Sequence, residues 1–117
     1  MLILDAHEFE QTEVEGDGAE GVTIQWLIDE SLGAPNFAMR RFVIAPGGHT
    51  PFHEHPWEHE VYIVRGEGEV LLDDGPVPFA SDNAIFIPPD ERHQFRNTGH
   101  EVVEMLCIVP NGPATEH

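Results

Sequence analysis

The octet HEHPWEHE, residues 53–60, concentrates side chains that could bind a metal ion. It holds three histidines, and a fourth, His93, begins the later stretch HQFRN. Imidazole is the commonest protein ligand for first-row transition metals, and a site needs three or four donors that converge on one point. Residues two apart in a strand point to the same face, so His53 and His55 share one direction. Four imidazoles from three strands could therefore meet inside a small barrel.

The choice between His59 and Glu60 decides the charge of such a site. His59 begins the run HEVYIVRG, and in a strand it shares a face with the apolar Val61 and Ile63. Glu60 then points the other way, with Tyr62. We predict His53, His55, His59 and His93 as the metal ligands.

The elements that carry these residues are predicted to be short strands. Ten Pro and eleven Gly punctuate the 117 residues, leaving no room for a long helix. Between them lie runs rich in Val, Ile, Phe and Tyr, at residues 22–28, 37–45, 60–66, 68–74, 83–89, 93–97 and 101–110. This pattern predicts an all-β, antiparallel sandwich or barrel. RGEGEV is interpreted as a hairpin turn, and DDGPVP as a tight connection before an edge segment.

One domain is expected, with an acidic N-terminal arm over residues 1–20, a barrel over 21–112 and a flexible tail over 113–117. The start of the chain resembles no secretory signal, and no apolar run is long enough to span a bilayer. Cys107 is a lone thiol, which builds no disulfide framework. A cytoplasmic location is therefore expected.

The charge balance is strongly acidic. Twenty-two Asp and Glu face five basic residues, all Arg, for a net charge of −17. Such a surface repels nucleic acid and anionic membranes, so neither is expected as a partner. The absence of Lys favours adaptation to high salt, where screening removes self-repulsion; an acidic protein at ordinary salt is the alternative.

The two histidine-bearing stretches resemble the paired signatures of the cupins. The first signature reads Gly, five residues, His-x-His, three or four residues, Glu, six residues, Gly, and Gly47, His53, His55 and Gly66 match it. The second resembles DNAIFIPPDERHQFRN, in which Pro88, His93 and Asn97 match. Asp82 and Asp90 stand where that signature has glycine, which matters little because Asp tolerates turn conformations.

His59 is the departure from the first signature that matters most, because it stands at the position where that signature has its glutamate. Over roughly residues 20–112 the chain resembles small single-domain cupins that bind manganese through four histidines, some with dioxygenase-like activity. The resemblance implies a double-stranded β-helix, or jelly-roll barrel, and manganese as the metal. Imidazole ligation alone is also compatible with Fe, Ni, Co, Cu or Zn. Four neutral ligands leave the ion its full charge, which favours Lewis-acid chemistry and anionic oxygen ligands.

Other residues are candidates for lining the pocket. Trp57 could cover its mouth or pack in the core, Phe95 and Thr50 could line it, and Cys107 could lie near the metal or be inert. Of the adjacent Arg40 and Arg41, one could meet an anionic substrate, although a surface ion pair is the expected role.

The expected function is an oxygen-dependent, dioxygenase-like oxidoreductase acting on a small organic substrate at two open metal positions. The alternatives are a non-catalytic small-molecule binding or sensing module and a metal-dependent sugar isomerase. An isomerase needs a proton-transferring Glu, Lys or Tyr in the pocket, and the sequence offers no secure candidate. A homodimer is expected, because a small barrel with an exposed edge strand invites pairing.

Overall fold

The computed structural model describes residues 1–16 and 18–115, so residues 116 and 117 of the predicted tail lie outside the described residues. The described chain forms nine strands and three short 3-10 helices. The strands are β1 Thr12–Glu13, β2 Glu20–Ile28, β3 Phe37–His49, β4 His59–Arg65, β5 Gly68–Leu72, β6 Gly75–Phe79, β7 Ala84–Ile87, β8 His93–Asn97 and β9 Val103–Pro110. The 3-10 helices are Ala6–Glu8, Glu30–Leu32 and Pro113–Thr115. The predicted all-β class is confirmed.

The strands form one antiparallel sheet in the order β6-β5-β8-β3-β9-β4-β7. β2 also pairs with β3, and β1 pairs with β2. β3 is the longest strand, and it pairs with β9 along residues 37–44 and with β8 at His49. This one strand therefore joins the two halves of the sheet.

Burial alternates along the strands, as expected when one face of a sheet covers a core. In β9, Val103, Met105, Cys107 and Val109 are buried and the residues between them are not. The same alternation in β4 buries His59 with Val61 and Ile63. Imidazoles therefore occupy positions on the same inward face as the aliphatic core.

The segment RGEGEV is not a hairpin turn, which corrects the interpretation made from the sequence. β4 pairs with β7 and β9, whereas β5 pairs with β6 and β8, so this segment crosses between the halves of the sheet. A Cβ on Gly66 would lie 2.6 Å from the carbonyl oxygen of Val102, and Gly66 has a φ of 98°. Glycine is therefore required here for a close crossing of two backbones. The connection in DDGPVP is confirmed, because β5 and β6 form a hairpin that ends the sheet order.

Residues near both ends of the described chain contact the barrel. The Gln25 side chain, which is buried, donates hydrogen bonds to the carbonyl oxygens of Ala6 (2.8 Å) and Phe9 (3.0 Å). Near the other end, the buried Thr115 hydroxyl donates to Glu30 Oε1 at 2.9 Å. Within the described residues, none of the short helices has the length and apolar character of a membrane span.

Candidate functional site

A cavity of about 600 Å³ opens at one end of the barrel. Its lining combines all four predicted histidines with apolar and aromatic side chains. The lining residues are Thr12, Val14, Glu15, Ile24, Trp26, Arg40, Phe42, Thr50, Pro51, His53, His55, His59, His93, Phe95, Met105 and Cys107. This volume and this mixture of apolar walls with a few polar groups are typical of small-molecule sites.

Backbone hydrogen bonds hold the histidine-bearing loop against β8. The amide of His53 donates to the carbonyl of His93 (3.1 Å), and the amide of His93 donates back to His53 (2.9 Å). The Asp90 amide donates to the carbonyl of His55 at 2.7 Å. Two separate stretches of sequence therefore present their imidazoles to the same point without relying on the side chains for position.

The four imidazole rings form one cluster. Ring centroids are 4.2 Å apart for His53 and His55, 5.3 Å for His53 and His93, and 4.9 Å for His59 and His93. The Nε2 atoms of His53 and His55 are 3.2 Å apart. Two nitrogens that share one ion at roughly 2.0–2.1 Å lie about 3 Å from each other. This pair is therefore spaced as two neighbouring ligands are.

Within residues 1–16 and 18–115, however, no group of three or more His, Cys, Asp or Glu side chains is placed with the full geometry of a metal site. Two details bear on whether the cluster fits an ion. His93 Nδ1 lies 2.9 Å from the carbonyl oxygen of Glu91, so it carries the proton and leaves Nε2 with a free lone pair. His59 Nδ1 is buried, and no described residue forms a hydrogen bond with it. A free lone pair and an unsatisfied nitrogen are features that an ion or ordered water would satisfy.

All four histidines are held in the neutral form. Burial is the main cause that lowers the pKa of His53 to about 4 and of His59 to about 3. Burial also lowers the pKa of His55 and of His93, in the latter against the opposing hydrogen bond to Glu91. Since only an unprotonated nitrogen binds a metal, the cluster is ready to coordinate at neutral pH.

Glu60 lies outside this cluster. It is exposed, and it occupies the alternate position in β4 that faces away from buried His59. It lines a separate apolar groove on the outer surface, with Tyr62 and Phe86. Of the two residues weighed in the sequence, His59 is the one in the cavity.

The other predicted pocket residues divide into two groups. Thr50, Phe95 and Cys107 line the cavity. Thr50 also fixes β8, because its hydroxyl accepts a hydrogen bond from the Phe95 amide at 2.9 Å. Trp57 instead stacks on the ring of His55, with centroids 4.5 Å apart and planes 7° from parallel. It supports a predicted ligand rather than lining the cavity.

The sequence left open which of Arg40 and Arg41 enters the cavity, and it did not identify the lining residues of the N-terminal arm. Arg40 lines the cavity, whereas Arg41 bonds Gln25 and Glu104. Arg40 shares its face of β3 with buried Ala38 and Ile44, but the other face is also apolar, so periodicity did not separate Arg40 from Arg41. Val14 and Glu15, from the N-terminal arm, also line the cavity, and nothing local in the sequence indicated that.

Comparison with known proteins assigns the family. The Cupin domain family matches residues 40–109, so the chain belongs to the cupins and its barrel is the cupin double-stranded β-helix. The structure of the polyketide cyclase RemF from Streptomyces resistomycificus superposes with a TM-score of 0.90 at 32% identity, covering 96% of this chain and 80% of that one.

Two curated relatives also come from Streptomyces. Protein SchB of Streptomyces halstedii is 40% identical over 88 residues, which is 74% of this chain. Polyketide synthase CurC of Streptomyces cyaneus is 35% identical over 96 residues, which is 80% of this chain. The match spans 62% of the length of each relative.

Proposed function

We propose that this protein is a metal-dependent cupin of the polyketide cyclase type, which closes a ring in a small, planar substrate that carries several carbonyl groups. The observation that carries the proposal is the cavity, which places four neutral imidazoles beside an apolar, aromatic wall. Similarity to RemF, named a polyketide cyclase, and to CurC, named a polyketide synthase, supports the same substrate class.

The residues present fit a divalent transition metal held by His53, His55, His59 and His93. The fit rests on the clustered rings, the neutral nitrogens and the unsatisfied His59 Nδ1. Manganese follows from the family resemblance, while Fe, Ni, Co, Cu and Zn also suit imidazole. When bound, such an ion supplies Lewis-acid polarisation of a carbonyl oxygen.

The chain's own residues supply binding, orientation and proton transfer. Trp26, Phe42 and Met105 form an apolar wall that suits a planar, conjugated substrate and keeps water from it. Glu15 is the one carboxylate among the described lining residues. Its place on the arm makes it the candidate base that removes a proton from the carbon between two carbonyl groups.

An oxygen-dependent, dioxygenase-like oxidoreductase is the second candidate. Four imidazole ligands suit manganese and iron, which are redox-active, as well as they suit zinc. The type of ligand therefore favours this reaction to the extent that it permits a redox-active metal. The absence of a carboxylate from the predicted ligand set argues for the first candidate, because neutral ligands make a higher oxidation state harder to reach.

The test is to incubate the purified protein, with its metal content measured, with an aromatic poly-β-ketone in air and under nitrogen. We expect a cyclised product with the mass of the substrate or that mass less water, formed equally well in both atmospheres. The His93→Ala variant should lose activity about 100-fold or more, whereas Glu60→Ala should keep it. Oxygen consumption with incorporation of labelled oxygen would support the second candidate and overturn the first. Saturable binding without any product would leave a non-catalytic binding module.

A further inference from the structure

Arg40 is a cation placed inside the cavity. It lies on β3 opposite Trp26 of β2 and Cys107 of β9, so the three side chains project from the same face of the sheet. All three line the cavity with the histidines. Its neighbour Arg41 points the other way and forms an ion pair with Glu104 at 3.1 Å. The expected surface ion pair is therefore made by Arg41 and not by Arg40.

Among the described residues, no carboxylate lies within 4 Å of the Arg40 guanidinium, in a chain with 22 acidic residues. In the described part of the chain, the other four arginines each lie within 4 Å of a carboxylate, in the pairs Arg41–Glu104, Arg65–Glu104, Arg92–Asp73 and Arg96–Glu69. Arg40 instead contacts two aromatic rings and donates from Nη2 to Cys107 Sγ at 3.0 Å. Its Nε is buried and has no hydrogen-bond partner within residues 1–16 and 18–115.

The surroundings hold the guanidinium in a defined orientation. Its central carbon is 5.5 Å from the centroid of Trp26 and 5.1 Å from that of Phe42. Cation–π contact at these distances stabilises the charge but satisfies none of its N–H donors. The Arg40 charge also contributes to the lowered pKa of His53, His55 and His59, so it lies within electrostatic range of the cluster.

We propose that Arg40 is an anion-binding residue of the cavity, which selects substrates that carry a carboxylate on an aromatic or conjugated body. A planar guanidinium whose Nε–H has no partner in the described part of the chain matches the geometry of a carboxylate. The rings of Trp26 and Phe42 provide the surface on which the apolar body packs. The inference rests on the proposed function only in taking this cavity as the substrate site.

The effect of removing Arg40 on stability distinguishes a ligand-binding role from a purely structural one. Arg40 is half-buried, and a half-buried charge without a carboxylate counterion among the described residues costs free energy. A residue whose role is ligand binding does not offset that cost in the free protein. We therefore expect Arg40→Met to leave the melting temperature of the ligand-free protein unchanged or raised. Lowering it by several degrees would indicate that Arg40 is retained for packing and would overturn the proposal.

The binding test compares 2-naphthoate with the neutral, nearly isosteric 2-naphthamide by calorimetric titration. The wild type should bind the acid about tenfold or more tightly than the amide, the size expected for a charged hydrogen-bonded pair. Arg40→Gln should reduce this preference about tenfold or more, with the dissociation constant of the amide little changed. The matched control, Arg41→Gln, removes the adjacent guanidinium on the opposite face and should retain the preference.

The metal content of every variant is measured in parallel, so that loss of the ion is not mistaken for loss of the anion-binding group. Equal affinity of the wild type for acid and amide, or retention of the preference in Arg40→Gln, would overturn the inference. Arg40→Lys keeps the charge without the planar fork, and it should show an intermediate preference even if Arg40→Gln fails to fold. A preference that depends on Arg40, in a protein that cyclises no polyketone, would uphold the inference and reject the proposed function.

Discussion

The two ends of the barrel are built from the same strands but differ in what they place inside. At the closed end, the inward residues are aliphatic and inaccessible, with Ile44, Ile63 and Val103 at 0% exposure. At the open end, the same strands carry Arg40, His59 and Cys107. Moving four residues along β3, β4 or β9 therefore replaces a packed hydrocarbon core with a polar cavity.

The ends also differ in how they treat buried polar groups. Asn97, near the closed end, donates to the carbonyls of Ile44 and Glu101 and accepts from the Gly99 amide. Of three buried side-chain polar atoms that lack a partner in the described residues, two, Arg40 Nε and His59 Nδ1, lie in the cavity. In natural proteins, buried polar groups almost always form hydrogen bonds. Groups without hydrogen bonds that cluster at one end of the barrel therefore indicate a ligand-binding site.

The largest expected effect comes from removing a histidine at the open end. His59→Ala should reduce metal content from full stoichiometry to near zero, which is more than the roughly 10- to 100-fold loss caused by removing an outer hydrogen-bond partner. Elemental analysis of protein purified without added metal measures this. Glu60→Ala is the matched control on the outer face and should retain the metal. If His59→Ala keeps its metal while Glu60→Ala loses it, the ligand assignment is wrong.

Truncation at the closed end should affect folding and leave the metal site intact. Ile63→Ala removes a fully buried side chain two strand positions from Val61, and it should cost about 2–5 kcal/mol in the free energy of unfolding. Denaturant titration measures the loss, and metal analysis of the folded fraction should show normal content. Val64→Ala, exposed on the same strand, is the control and should change stability little. Loss of metal in folded Ile63→Ala would show that the two ends are not independent.

The sequence predicted the parts of this arrangement that depend on local pattern. Alternation in β4 and β9 indicated which residues face inward, and the spacing of the histidines predicted a cluster that the structure brings together. Arg40 was ambiguous because β3 is apolar on both faces, so that periodicity could not separate Arg40 from Arg41. Its direction follows only from pairing with Trp26 and Cys107.

Features that depend on distant pairing could not be predicted from local pattern. Gly66 and Gly68 suggested a turn, but their role is to let β4 and β5 pass close to Val102 and Arg96, which are distant in sequence. Likewise, the arm reaches the cavity because Thr12 pairs with Ile24, and two residues of β1 carry too little pattern to reveal that. In both cases the information lies in the partner strand.

The smallest expected effect concerns the two turns that support the ends. Asp82 and Asp90 are the described non-glycine residues with positive φ, at 70° and 67°. Both stand where the second cupin signature has glycine. The Asp82 amide bonds the carbonyl of Ile63 at the closed end, and the Asp90 amide bonds that of His55 at the open end. Both Asp residues therefore adopt the turn conformation expected of them, and their tolerance at these turns stays a prediction.

Because a left-handed conformation is unfavourable for a residue with a Cβ, Asp90→Ala should be less stable than Asp90→Gly by about 1 kcal/mol. Thermal or denaturant unfolding of the two variants measures the difference. The same pair at Asp74, an exposed turn residue without positive φ, is the control and should show Gly no more stable than Ala. If strain at Asp90 positions His55, Asp90→Ala should also weaken metal binding, whereas Asp82→Ala should not. An equal effect of both alanine variants on metal affinity would show that the turns support the fold as a whole and not the two ends separately.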